Sequence, residues 1–96
     1  MPAFVVLDVR ITDPEAYEEY KVQARAIAES YGGRYLARGG ELTVDDDDLW
    51  TPTRMVIIEF PDADAARAFM TSEEYAPVRE LRHRYADSTV VLVDGA

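Results

Sequence analysis

Apolar and polar positions alternate along Phe4–Ile11. Val5, Leu7, Val9 and Ile11 fall on one face and Phe4, Val6, Asp8 and Arg10 on the other, which predicts a strand with one wholly apolar side. Thr12 and Asp13 precede Pro14, and a short polar cap, a proline in the first turn and Glu15 near the positive end of the dipole mark a helix start. Tyr17, Tyr20, Ala24, Ile27, Ala28 and Tyr31 then recur at helical spacing until Gly32-Gly33 ends the run, a helix of about five turns.

Arg34–Arg38 reads as a short strand, with Gly39-Gly40 breaking or bulging it before Glu41–Val44, and Asp45–Asp48 as a loop. Arg54–Phe60 carries the consecutive Met55, Val56, Ile57 and Ile58 and is the clearest strand; Pro61-Asp62 opens the next helix, with Ala65, Ala66, Phe69 and Met70 inside it. Thr71-Ser72 before Glu73-Glu74 has the form of a fresh N-cap, so the second helical region divides near Ser72, and its later piece buries Val78, Leu81 and Tyr85. Ser88–Asp94, dominated by Val90, Val91, Leu92 and Val93, closes the chain as a strand. The order is βαββαβ. A shift of 49 positions pairs Leu7 with Val56, Val9 with Ile58, Ile11 with Phe60, Asp13 with Asp62, Ala16 with Ala65 and Tyr20 with Phe69. Two split βαβ units on one sheet would share parity in this way. The expected fold is therefore one ferredoxin-like α+β domain over residues 1–96: a four-stranded antiparallel sheet with helices on one face.

Helices can cover only one side of such a sheet. The other side would present Phe4, Val6, Met55, Ile57 and part of the Val90–Val93 run, a patch too apolar to leave in water. Burying side chains of this size is worth about 1.5–3 kcal/mol each, against the entropy of association. A homodimer joined sheet to sheet is the simplest expectation, and for 96 residues it also supplies burial that a small core lacks.

Composition narrows the partners further. Nineteen acidic against ten basic residues give a net charge of −9, which repels phosphate backbones and anionic lipid surfaces, so neither nucleic acid nor membrane is expected. Cysteine is absent, which excludes disulfides, thiolate metal sites, iron–sulfur clusters and cysteine nucleophiles and fits a reducing cytoplasm. The N-terminal apolar run lacks a basic flank and breaks at Asp8, too short for a signal peptide or a spanning helix.

Several segments together carry a likeness: Asp13-Pro14-Glu15-Ala16-Tyr17, Tyr31-Gly32-Gly33-Arg34-Tyr35-Leu36, Arg38-Gly39-Gly40, Trp50 with Pro52 and Arg54, Glu59-Phe60-Pro61, Ala65-Ala66-Arg67-Ala68-Phe69 and Val91-Leu92-Val93. Over nearly its whole length the chain resembles the small bacterial proteins of domain of unknown function 1330 (DUF1330), in the dimeric α/β-barrel superfamily. The resemblance implies a ferredoxin-like protomer and a dimer with facing sheets. It implies no chemistry, since the family has no established activity. Cofactor-independent monooxygenases, haem enzymes and ligand-sensing domains occur in the wider superfamily, a fold-level analogy. The chain departs from the haem branch in having no well-placed histidine, and no cofactor is expected.

The expected topology brings the end of the first strand near the end of the second and the start of the third, so Asp8, Arg10, Arg38 and Arg54 share a rim. The first helix starts there and the last ends there, bringing Tyr17, Tyr20, Arg82 and Tyr85 toward it, with Trp50 on the adjoining loop. Tyr20, Arg38, Trp50, Arg54, Arg82 and Tyr85 are thus the candidate ligand-binding residues. Guanidinium forks and aromatic faces suit a planar or carboxylate-bearing small molecule. The plainer alternative pairs Arg38 and Arg54 with Asp8 or Glu41, makes the tyrosines core residues with hydroxyls at the surface, and has Arg82 snorkel from the edge of its helix stripe. Glu59 shares the open face with Met55 and Ile57, where a carboxylate needs a partner; Arg10 is one candidate, across a dimer.

His83, the only histidine, falls away from the apolar stripe and reads as solvated. No spacing of carboxylates suggests a metal site, and Asp45–Asp48 lacks the alternation, glycine and terminal glutamate of a calcium loop. There is no phosphate-binding glycine loop and no nucleophile elbow. Two functions remain: a dimeric domain that binds a small organic molecule in the rim cleft, with cofactor-independent catalysis as an extension, or a non-enzymatic interaction or stress-associated dimer. A pocket lined by Tyr20, Trp50 and Arg82 would favour the first, and a cleft filled by its own side chains the second.

Overall fold

In the computed structural model, which describes residues 1–96, the alternation of the first segment becomes β1 (Ala3–Ile11), buried at Ala3, Val5, Leu7 and Val9. The remaining elements are α1 (Pro14–Ser30), β2 (Arg34–Arg38), β3 (Met55–Phe60), α2 (Ala63–Thr71), α3 (Tyr75–Tyr85) and β4 (Ala86–Asp94). The strands form one sheet in the order β2-β3-β1-β4, and every neighbouring pair is antiparallel. This is the expected ferredoxin-like fold.

Register explains the two faces. Leu92, Val5, Ile58 and Tyr35 lie in one row across the sheet, as do Val90, Leu7 and Val56; these rows point toward the helices. The alternate rows, Val91–Val6–Ile57–Ala37 and Val93–Phe4–Glu59–Arg34, point away. Against the first set pack Tyr17, Tyr20, Ala24 and Ala28 of α1, Ala66 and Phe69 of α2, and Tyr75 and Val78 of α3. Aromatic rings knit this layer together: Phe69 lies 5.4 Å from Phe60 and 4.5 Å from Tyr75, centroid to centroid.

The repeat is structural as well as sequential. Asp13 and Asp62, 49 residues apart, both cap their helices: Ala16 N donates to Asp13 Oδ1 at 3.2 Å and Ala65 N to Asp62 Oδ1 at 2.8 Å. The division near Ser72 also occurs, and its hydroxyl serves both pieces, donating to Phe69 O and accepting from Tyr75 N.

Three local expectations are corrected. The bulge in β2 is at Leu36, between Tyr35 and Ala37, and not at Gly39-Gly40. No strand forms over Glu41–Val44; β2 ends at Arg38 and residues 39–54 run as an exposed loop, because β2 is the sheet edge and β3 offers it no pairing before Met55. Glu59 pairs within its own chain, with Arg34 at 2.7 Å, while Arg10 is taken by Asp87 at 2.8 Å.

Candidate functional site

Where α1 and α3 lean over β1, β3 and the edge strand β2, side-chain packing leaves a cavity of about 30 Å³. Its walls are apolar residues of β1 and β3, such as Leu7, Val56 and Ile58, and the rings of Tyr17, Tyr20, Tyr35 and Tyr75; Lys21, Arg38 and Arg54 stand at its polar end. The volume suits about one or two water molecules.

Local sequence accounts for each of these groups. Tyr17 and Tyr20 are one turn apart on the buried stripe of α1, their centroids 4.9 Å apart. Tyr35 faces the helices because it stands opposite Ile58, and the bulge that follows turns Arg38 to the same side, opposite Val56. The Arg38 guanidinium lies 5.4 Å from the Tyr35 ring centroid and reaches Lys21 O at 3.5 Å. Gly39 sets Arg54. Its φ of +73° favours glycine at the end of β2, and a Cβ there would stand 2.5 Å from Arg54 Nε, so any other residue would push that guanidinium aside.

Neither Arg38 nor Arg54 is in an ion pair, whereas Lys21 is bound to Glu18 at 2.8 Å. Burial sets the acidity of the phenols. It pushes Tyr35 up to about 12, with Tyr20 adding to the shift and Arg38 opposing it. Burial likewise raises Tyr17 and Tyr75 far above the ordinary tyrosine range, against the pull of nearby guanidiniums. All three remain neutral phenols, hydrogen-bonding groups rather than bases, at neutral pH. Tyr75 Oη lies 2.7 Å from Tyr20 Oη and 2.8 Å from Arg82 Nη1, which connects the cavity to a guanidinium behind it.

The six candidates are therefore divided. Tyr20, Arg38 and Arg54 line the cavity, and Arg82 touches it only through Tyr75. Far from snorkelling, Arg82 is 6% exposed, deeper than its stripe neighbour Leu81. Tyr85 sits at the corner between β1 and α1, where its carbonyl accepts from Thr12 N and Asp13 N, and it does not line the cavity. Trp50 is on the other side of the sheet. Its Nε1 donates to Asp8 Oδ2 at 2.9 Å, while Asp8 Oδ1 accepts from Thr53 N and Arg54 N at 2.9 and 3.1 Å.

Asp8 thus pins the end of the 39–54 loop instead of pairing with an arginine. Partial desolvation raises its pKa, but the two amides and the indole outweigh that and hold the carboxyl below its ordinary value. Around this clamp the open face is hollowed between Val6, Trp50, Met55 and Val91, a depression of about 430 Å³.

Tyr35, Tyr75 and Lys21 are cavity residues that sequence reasoning missed. Strand parity could have found Tyr35, and the Ser72 cap could have placed Tyr75 on the first buried position of α3. His83 is exposed and faces Glu80 at 3.6 Å. No group of three or more His, Asp or Glu is arranged to hold a metal ion. No helix is long and apolar enough to cross a membrane.

The fold is shared with solved structures. A protein of unknown function from Rhodopseudomonas palustris superposes with a TM-score of 0.75 at 20% identity, over 99% of this chain and 82% of that one. SnoaB, a cofactor-independent oxygenase from Streptomyces nogalater, gives 0.74 at 17% identity, over 99% and 93%. A putative antibiotic biosynthesis monooxygenase from Nitrosomonas europaea gives 0.56 at 19% identity, over 98% and 89%. At these identities the likeness establishes the fold alone. No curated protein matches the sequence. The family model described as "Domain of unknown function (DUF1330)" matches residues 2–96, and the chain belongs to that family.

Proposed function

We propose that this chain is the protomer of a homodimer that binds a small, planar organic anion in the helix-covered cavity, in the reducing cytoplasmic setting that a cysteine-free chain fits. One observation carries the reading: two guanidiniums without carboxylate partners, Arg38 and Arg54, stand at the end of a cavity walled by four tyrosines. Aromatic rings supply stacking surface, phenols supply orienting hydrogen bonds, and the arginines supply the charge that an aromatic carboxylate or phenolate lacks in an apolar site.

Room for such a ligand requires movement of Arg38, an exposed side chain held by one long hydrogen bond and the face of Tyr35. The fold shared with a cofactor-independent oxygenase supports small-molecule chemistry in this layer as an analogy. A second reading, a non-enzymatic interaction or stress-associated dimer, is favoured by the cavity's size. At about 30 Å³ it is well below the roughly 300–1,000 Å³ of ordinary ligand pockets.

A thermal-shift screen of aromatic carboxylates and phenols separates the two, because a ligand bound only by the native state raises its melting temperature. A shift in the wild type that is lost in Arg54→Ala and Tyr20→Phe, and kept in Trp50→Ala, is the expected outcome. No shift across the panel favours the second reading.

A further inference from the structure

Arg82 is a buried charge with no counter-ion. No carboxylate lies within ion-pairing distance, and its Nε has no hydrogen-bond partner. Its Nη2 has only His83 Nε2 at 3.5 Å, so its one short bond is from Nη1 to Tyr75 Oη. A guanidinium can only donate, so Tyr75 Oη accepts. Tyr75 has one proton left and one neighbour to receive it, Tyr20 Oη at 2.7 Å. Either direction leaves one phenol proton free, and both rings line the cavity. With Tyr20 as donor, Tyr75 Oη would accept twice, whereas with Tyr75 as donor the bonds run head to tail and each strengthens the next, the arrangement that the guanidinium favours. The chain therefore runs Arg82 to Tyr75 to Tyr20. The Tyr20 proton is the one left over, and Tyr20 lines the cavity.

We infer that Arg82 and Tyr75 are positioning residues that hold Tyr20 as the hydrogen-bond donor of the cavity, and that its ligand is an organic oxyanion of the phenolate or enolate type. The negative oxygen sits against Tyr20 Oη. Each hydrogen bond in the chain polarises the next, so the buried charge is felt at its far end. The inference rests on the reading of the cavity as a ligand site.

The probe is 4-nitrophenol, with its uncharged methyl ether, 4-nitroanisole, as the control of similar shape. At a pH where free 4-nitrophenol is half ionised, phenolate absorbance reports the ionisation ratio of the bound compound. The wild type is expected to raise that ratio about tenfold, the effect of one charge-assisted hydrogen bond. Arg38 and Arg54 also favour the anion, so the variants decide. Tyr75→Phe cuts the chain at constant shape, and Arg82→Met removes the charge while keeping much of the stem. Both are expected to lose most of the ionisation preference, and Arg82→Met, at a residue outside the cavity lining, to bind 4-nitroanisole within about twofold of the wild type. An unchanged ratio in both variants makes Arg82 purely structural and overturns the inference. Binding of both compounds without any preference for the phenolate overturns it alone, leaving the cavity reading intact. If neither compound binds the wild type, the cavity reading fails and the inference with it.

Discussion

Asp8 shows how much one carboxylate can organise when its partners are amides. From sequence it is a polar residue near the end of a strand, an apparent mate for Arg38 or Arg54; in the fold its side chain is on the opposite face from theirs and collects Thr53 N, Arg54 N and the Trp50 indole. Its folded pKa lies below the reference value of 3.8, so the carboxylate's contribution to stability is present above that value and is lost as pH falls through the folded one. Trp50 is the only tryptophan, so its fluorescence reads the clamp. Wild-type emission is expected to change in an acid transition below about pH 4. Asp8→Asn should show the altered emission already at neutral pH and no such transition, with a stability loss of about 1–2 kcal/mol in urea unfolding. Identical acid titrations of wild type and variant would refute the clamp. Arg82 departs from its sequence expectation for a related reason. A helical wheel puts it at the stripe edge, where snorkelling is the ordinary result, and only the tertiary placement of Tyr75 gives it a buried acceptor.

At the scale of elements, most of the fold is legible in the sequence because its signals are local. Period-two alternation marks β1 and β3, and an aspartate before each helix marks α1 and α2. Asp13→Ala and Asp62→Ala should each destabilise the domain by about 1 kcal/mol through loss of one cap bond, and the double variant should be additive, since the caps share no partner. Urea midpoints test this, and a midpoint unchanged in either single variant would remove the cap from the account of that helix. What stayed illegible depends on long-range pairing. Glu41–Val44 has strand-like residues, but the edge strand has already turned away at Gly39, so nothing receives them. The candidate site was half legible for the same reason. Topology brought Tyr20, Arg38, Arg54 and Trp50 to one rim, but which face of the sheet each takes depends on a one-residue bulge at Leu36 and on the course of a loop.

For the whole molecule, the two faces of the sheet carry different duties. The helix side holds the core and the cavity. On the open side, Val91 and Val93 are 44% and 48% exposed beside half-buried Phe4, Val6, Met55 and Ile57, the surface assigned to the proposed homodimer. Ile57→Glu, at the middle of that patch, should convert a dimer to a monomer in light scattering while leaving the fold intact by circular dichroism. The net charge of −9 per chain makes two copies repel, so the wild-type dimer should tighten as salt rises. A wild type that is monomeric at all salt concentrations would contradict this.

The most direct test of the central claim, that the helix-covered cavity is the ligand site, is a map of amide chemical shifts in ¹⁵N-labelled protein titrated with 4-hydroxybenzoate. Saturable shifts clustered at Tyr20, Lys21, Tyr35, Arg38 and Arg54, and absent from Val6, Thr89 and Val91, are the predicted result. Shifts confined to the Trp50 hollow and the open sheet face would place binding on the wrong side of the sheet and contradict the account.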